Sequence, residues 1–455
     1  MQGGRQGKQA EFNSFIHGTG WEDLPLTIRS QAVRCLLDTL GAGISGHGTK
    51  LSTIIRDFAV CAYGGKGAFL WLDGREVSAP GAALAGGMTV DAIDIHDGHP
   101  LTKGHAGAAV VPALFAAAGL NQHHPLSGKI FLTDLAVGYE IALRAGIALH
   151  STACDYHASG AWNALGCAAV TARRLGLNAE QTRHALGIAE YNGPRSQMMR
   201  CIDHPAMLKD GSGWGAMTGV SSALMAASGF TGAPALNVES EEAEHAWQDL
   251  GHQWRMNELY FKPHAVCRWA QPAVEGAAIL QKRHHIRPEH IRRIRIETFH
   301  QAVRLNRRRV ANTEEAQYNL PFPVAALLVF GKLGTSELTG KSLEDPLVTR
   351  LMNCMKITED KGFSQSFPEK RCARVHIETD DGMTYDSGQI EARWDADNPP
   401  SDKEILKKFR NLAGEQLTEK RVKTLEAAIL ACENLADVEP LLSMMAEPSA
   451  SETGL

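Results

Sequence analysis

The sequence predicts a mainly α protein that carries a smaller α+β domain, and three observations predict it. Apolar residues recur at helical spacing from Leu24 to about Ser228, alternate with period two in stretches between 291 and 390, and return to helical spacing from Asp402. The expected organisation is a helical domain of residues 10–267 and 401–440, interrupted by an α+β domain at 268–400. Residues 1–9 and 441–455 are expected to be disordered tails. With 455 residues and 44% hydrophobic content, the chain can bury a large core without disulfide or metal staples.

Each element has a local reason. Pro25 stands where a helix start tolerates proline, and Ile28, Val33, Leu36, Leu37 and Leu40 follow at helical spacing. The segments AALAGG, GAAVVPALFAAAG, NALGCAAVTARRLG and GWGAMTGVSSALMAASG are helices built of small residues, whose axes can approach closely. Asn178 and Gln181 read as a capping pair opening AEQTRHALGIAEY. Further on, IRRIRIETF (291–299) reads as a strand, and ARVHIETDDGMTYDSGQI (373–390) as a hairpin around Asp381-Gly382. AALLVFGKLG between them is helical, as are ILKKFRNLAG and KRVKTLEAAILACENL after residue 400.

Composition excludes several functions. Lys+Arg 46 against Asp+Glu 51 gives a net charge of -5, so no basic field attracts nucleic acid or anionic lipid. Nine cysteines with no C-x-x-C pair argue against a disulfide framework, a structural zinc site and an iron–sulfur centre. The opening MQGGRQGKQAEF has no apolar h-region and the small-apolar run Gly107–Leu120 is too short for a bilayer, so a reducing cytoplasmic setting is expected. The 19 histidines raise the prospect of acid/base or metal chemistry.

Four segments concentrate polar groups. Residues 91–109, DAIDIHDGHPLTKGHAGAA, hold Asp91, Asp94, His96, Asp97, His99, Lys103 and His105 directly before an apolar helix. Carboxylates and imidazoles beside a core need partners, which points to a site rather than a surface loop. The spacing D-x-H-D-x-H also permits a metal reading through Asp94, His96, His99 and His105, although it matches no zinc motif. In HSTACDYHASGAWNALGCAAV (150–170), Ser159 reads as a helix N-cap with His157 at the helix mouth, where the ring stays neutral and can act as a base. In RCIDHPAMLKDGSGWGAMTG (200–219), Lys209 and Asp210 precede a glycine turn that opens a helix, an anion site without the nucleotide P-loop pattern. In YFKPHAVCRWAQPAVEG (260–276), Lys262, His264 and Arg268 lie at the expected domain junction, and an arginine fork suits carboxylates. Together these supply bases and cations for proton abstraction beside a carboxylate on a polyanion.

The ordered motifs D-A-I-D-x-x-D…G-H, Y-H-x-S-G-x-W-x-A-L-G, L-K-D-G-S-G-W-G-A-M-T-G and Y-F-K-P-H-A-V-C-R-W-A-Q-P resemble the MmgE/PrpD family, over roughly residues 10–435. The resemblance makes the α+β domain at 268–400 a lid and implies an enzyme without cofactor or metal, homodimeric, acting on a small polycarboxylate, with no nucleic-acid or membrane partner. It places Asp94, His105 and His157 at acid/base positions and Lys209 at or beside a catalytic lysine. Lys103, Arg268, His99 and Asp97 are expected to bind substrate. The expected activity is a hydro-lyase of the 2-methylcitrate dehydratase type. Epimerisation or decarboxylation on the same scaffold is the nearest alternative, and a metal-dependent hydrolase or a non-catalytic carboxylate binder the alternatives of other classes. The P-L-T-K-G-H loop is more similar to epimerase-type members, and K-D-G-x-G-W to dehydratase-like ones. In AQYNLPFPVAA, Phe322 is aligned with a position that is often tyrosine, which argues against a phenol-dependent decarboxylation.

Overall fold

The computed structural model describes residues 11–120 and 125–449. It is mainly α with one small mixed sheet. The first long helices are α1 (Leu26–Gly46), which starts after Pro25, and α2 (Lys50–Ala62), capped by the Thr49 hydroxyl. The centre is built from α3 (Ala79–Asp91), α4 (Gly107–Ala118), α5 (Gly128–Thr152), α6 (Gly160–Leu175), α7 (Ala179–Asn192) and α8 (Ser212–Ala227). α8 packs on both α3 and α6, and α6 also packs on α5. Small residues make those approaches possible: a Cβ on Gly87 would lie 2.6 Å from the Cα of Gly213, so neither helix can carry a side chain there. Asn178 and Gln181 form the expected reciprocal cap at the start of α7.

Beyond residue 270, α9 (Gln271–His284) lies against a four-stranded sheet. A two-residue ladder near the N-terminus supplies β1 (Ala68–Phe69) and β2 (Glu76–Val77). The sheet itself contains β3 (Ile291–Thr298), β4 (Met355–Glu359), β5 (Cys372–Thr379) and β6 (Thr384–Glu391) in the order β4-β3-β5-β6. β3 pairs antiparallel with β5 and parallel with β4, and β5–β6 is the hairpin around Asp381-Gly382. β4 is an edge strand that alternation did not reveal, because MKITE is short and only its first residue is buried. α10 (Pro321–Phe330) packs on α9. The chain then returns to the helical body: α11 (Asp402–Ala413) packs on α1, followed by α12 (Glu419–Leu430).

The expected C-terminal tail is corrected in part. Residues Glu439–Ala446 form a helix, α13, with Leu441 and Met445 buried, and Leu72 donates its N–H to the Met445 carbonyl at 2.6 Å. Two apolar side chains one turn apart give this segment a reason to dock. Residues 1–9 and 450–455 of the expected tails lie outside the described residues. Among the described residues, no helix is long and apolar enough to cross a membrane.

Candidate active site

The loop between α3 and α4 carries the densest polar cluster and is tied down along its length. Gly98 and Tyr260 exchange backbone hydrogen bonds at 3.0 and 2.8 Å, and the His99 N–H donates to the Gly104 carbonyl at 2.9 Å. Gly98 is required here, since a Cβ would sit 2.5 Å from the Tyr260 hydroxyl and 2.8 Å from His105 Nδ1. Asp94 (φ 48°), Lys103 (φ 50°) and Lys209 (φ 49°) all adopt left-handed backbone, half of the six non-glycine residues that do so among those described. Such conformations cost about 1–3 kcal/mol each and persist where surrounding structure holds side chains in a functional arrangement.

His105 is held from three sides. Its N–H donates to Ser159 Oγ at 3.0 Å, and its carbonyl accepts from Asn163 at 2.9 Å. Its Nδ1 lies 2.6 Å from the Asp97 carbonyl, which can only accept, so Nδ1 carries the proton and Nε2 is left with a free lone pair. That Nε2 faces Asp94 Oδ1 at 3.7 Å and Asp210 Oδ2 at 3.9 Å. Burial, followed by the charges of Lys262 and His96, pushes the imidazole well below its usual value, so it is neutral near neutral pH.

The carboxylates around it differ in charge state for local reasons. Burial would raise Asp94, but Lys262, whose Nζ contacts Asp94 Oδ1 and donates to the Asp94 carbonyl at 2.9 Å, holds it below the usual carboxylate range. Asp91 is likewise depressed against its burial by His96 and Lys209. Asp210 goes the other way, pushed up to about 6 by burial and the nearby Asp91 charge, with the Ser159 hydroxyl donating to it at 2.8 Å. Two adjacent carboxyls with separated affinities for a proton make a donor and a permanent anion. A small, half-open pocket of about 40 Å³ adjoins this group, and its lining includes Asp94, Lys103, His105, Asp210, Arg268 and Arg371, with Tyr260 and Tyr318 as aromatic walls.

The structure therefore brings Asp94, His105, Lys103 and Arg268 to one pocket, with Lys209 immediately behind it, its Nζ contacting Gln317 Oε1 and lying 4.8 Å from the centre of the Tyr318 ring. Four expectations are corrected. Asp97 is fully buried and turned away, accepting from the Tyr139 hydroxyl at 2.7 Å; what it gives the site is its carbonyl, which fixes the His105 tautomer. His99 is also buried and pairs with Glu258 at 3.1 Å, outside the pocket. Ser159 occupies the N-cap position of α6 without capping it, because its hydroxyl is spent between Asp210 and His105. Phe322 is buried inside α10, whereas Tyr318, one turn earlier, lines the pocket, so a phenol is present after all. His157 does not line the pocket: its Nδ1 bonds the Asp155 carbonyl at 3.0 Å, and the neighbouring Tyr156 ring lies 3.8 Å from the pocket-lining Lys103 Nζ. His96 pairs with Asp91 rather than converging with His99, and no group of three or more His, Cys, Asp or Glu side chains is arranged to hold a metal ion among the described residues.

Lys262, Asp210, Tyr318 and Arg371 were not assigned site roles from sequence. The first two sit inside the Arg268 and Lys209 motifs, and Tyr318 lies four residues before Phe322. Arg371, in EKRCARVHIE, had no signal, since a basic run before a strand reads as solvated surface.

Comparison with known proteins yields a consistent set of similarities. Residues 10–250 match the model described as the MmgE/PrpD N-terminal domain, and residues 264–434 match the MmgE/PrpD C-terminal domain. A cis-aconitate decarboxylase of Aspergillus terreus is 24% identical, covering 98% of this chain and 97% of its own. The cis-aconitate decarboxylase of Mus musculus is 25% identical over 97% and 94% of the two chains. The 2-methylcitrate dehydratase of Escherichia coli is 25% identical over 87% and 88%.

Proposed function

Because the chain belongs to the MmgE/PrpD family, we propose that it is a lyase that forms a carbanion beside a carboxylate of a small tricarboxylate, and that its reaction is dehydration of a hydroxy acid of the 2-methylcitrate type, or the reverse hydration. The observation that carries this reading is His105, neutral and tautomerically fixed, with a free Nε2 inside a pocket rich in buried cations. In the forward direction Nε2 takes the proton from the carbon next to a carboxylate. The freed electron pair forms the carbon–carbon double bond as the carbon–oxygen bond breaks. Asp210, whose carboxyl is raised to about 6, gives its proton to the departing hydroxide, which leaves as water. The proton on His105 then returns to Asp210 across 3.9 Å, restoring both groups. Lys209 supplies fixed positive charge where negative charge develops on the substrate carboxylate, and Lys262 keeps Asp94 ionised beside it. His157 we assign to the second acid/base role, next to Tyr156, whose ring meets the pocket-lining Lys103.

Decarboxylation is a second reading, favoured by the phenol of Tyr318 in the pocket and by relatives named cis-aconitate decarboxylase that align along nearly their full length. There the carbon–carbon bond to a carboxylate breaks, CO2 leaves, and an acid protonates the carbon that keeps the electron pair. Proton NMR of the enzyme in D2O with 2-methylcitrate, citrate and cis-aconitate separates the readings. An alkene product from a hydroxy acid, seen as a vinylic proton from citrate or as collapse of the methyl doublet of 2-methylcitrate to a singlet on an alkene carbon, supports dehydration, and an exomethylene signal with CO2 release from cis-aconitate supports decarboxylation. No product and no deuterium entry with any of the three acids overturns both.

A further inference from the structure

Most charge around the pocket is matched within the protein. Lys262 is paired with Asp94 and Arg268 with Asp395, the latter at 2.5 Å. Arg371 is different. It is only 8% exposed, yet no carboxylate lies within 4.0 Å of its guanidinium among the described residues. Its one side-chain hydrogen bond is a long one, from Nη2 to the Pro100 carbonyl at 3.4 Å, and its buried Nε has no partner. Burying an arginine without an anion costs stability, and a fold that keeps one has left room for an anion to arrive. Lys103, part-buried, has its Nζ 3.8 Å from the Tyr156 ring centre and, among the described residues, no carboxylate within 4.0 Å.

The placement of Arg371 says which part of a ligand it meets. It immediately precedes β5 on the sheet side of the pocket, while Pro100 belongs to the loop that carries His105. After burial, the charged side chains that act on it most are Arg268 and Asp395, not those of the Asp94–His105–Asp210 group. On the lyase reading above, on which this inference rests, we propose that Arg371, assisted by Lys103, anchors the substrate carboxylate most distant from the reacting carbon and sets the preference for three carboxylates over two. A guanidinium fork binds a carboxylate through two parallel hydrogen bonds, which a lysine cannot reproduce.

The test is calorimetric binding of two inert acids, tricarballylate with three carboxylates and glutarate with two, to the wild-type protein and to Arg371→Gln and Arg371→Lys. Charge-assisted hydrogen bonds of this kind correspond to roughly 10- to 100-fold in affinity. The wild type is expected to favour tricarballylate, and Arg371→Gln to lose about tenfold or more of that preference. The melting temperature of ligand-free Arg371→Gln should equal or exceed that of the wild type, because an unmatched buried charge is removed, whereas a merely structural arginine would lower it. Arg371→Lys retains the charge and covers the case in which the glutamine variant fails to fold; it too should lose part of the preference. An unchanged tricarballylate-to-glutarate ratio in either variant, with wild-type binding intact, overturns the anchor alone. Failure of the wild type to bind either acid overturns the polycarboxylate reading and the anchor with it.

Discussion

Replacing Lys262 by Met tests the electrostatic frame of the site. Lys262 is fully buried and Asp94 is 2% exposed, and each is the other's nearest opposite charge. Removing one partner strands a buried carboxylate, which costs about 3–5 kcal/mol when a buried pair is broken this way. The sign of the pH dependence also changes. In the wild type Lys262 holds Asp94 below its usual value, so this pair adds stability above the unfolded carboxylate value and loses it as pH falls through the folded one. Without the lysine, burial dominates and raises Asp94, so the variant loses stability as pH rises from about 4 toward 7. Urea unfolding at several pH values reads both effects. The double variant Lys262→Met with Asp94→Asn should recover most of the stability while remaining inactive, because no buried charge is then stranded. A Lys262→Met protein within about 1 kcal/mol of wild type, with a parallel pH profile, would refute the pairing as the organiser of this pocket.

The other expectations concern single groups. His105→Gln should lower kcat/KM by about 100- to 10,000-fold with little change in unfolding midpoint, and steady-state kinetics with a circular dichroism melt check this. Tyr318→Phe removes one hydroxyl from the pocket; product analysis should show CO2 release falling far more than alkene formation from a hydroxy acid, and equal losses would exclude a specific role for the phenol in decarboxylation. Asp97 is raised to about 6 by burial and the Asp38 carboxylate, so ionising it costs the folded state up to about 3 kcal/mol, a penalty that grows between about pH 4 and pH 6 and stays constant above. Asp97→Asn should therefore gain stability relative to wild type at pH 8 but not at pH 4, as read by paired thermal melts.

Elements whose cause is local were legible in the sequence. The Asn178–Gln181 cap, the Asp381-Gly382 hairpin and the small-residue helices each depend on residues a few positions apart, and all are present. What was not legible depends on partners far apart in the chain. Lys262 meets Asp94 across 168 positions and His99 meets Glu258 across 159, so one histidine of the dense loop is consumed structurally while a lysine outside it completes the site. The same holds for α13, whose Met445 carbonyl accepts the N–H of Leu72 from the far end of the chain. His105 and Asp97 show the limit within a single segment: the sequence reads one as acid/base and the other as a substrate ligand, and only the direction of each side chain shows that Asp97 orients His105 through its carbonyl.

The claim at the centre of this account is that His105 moves a proton at a carbon beside a carboxylate. Deuterium entry from D2O into 2-methylcitrate and cis-aconitate, followed by NMR for the wild type and His105→Gln, measures that step directly. The wild type is expected to exchange or convert at least one of these acids, and the variant to do neither at a comparable rate. Exchange by His105→Gln at the wild-type rate would contradict the assignment of the base.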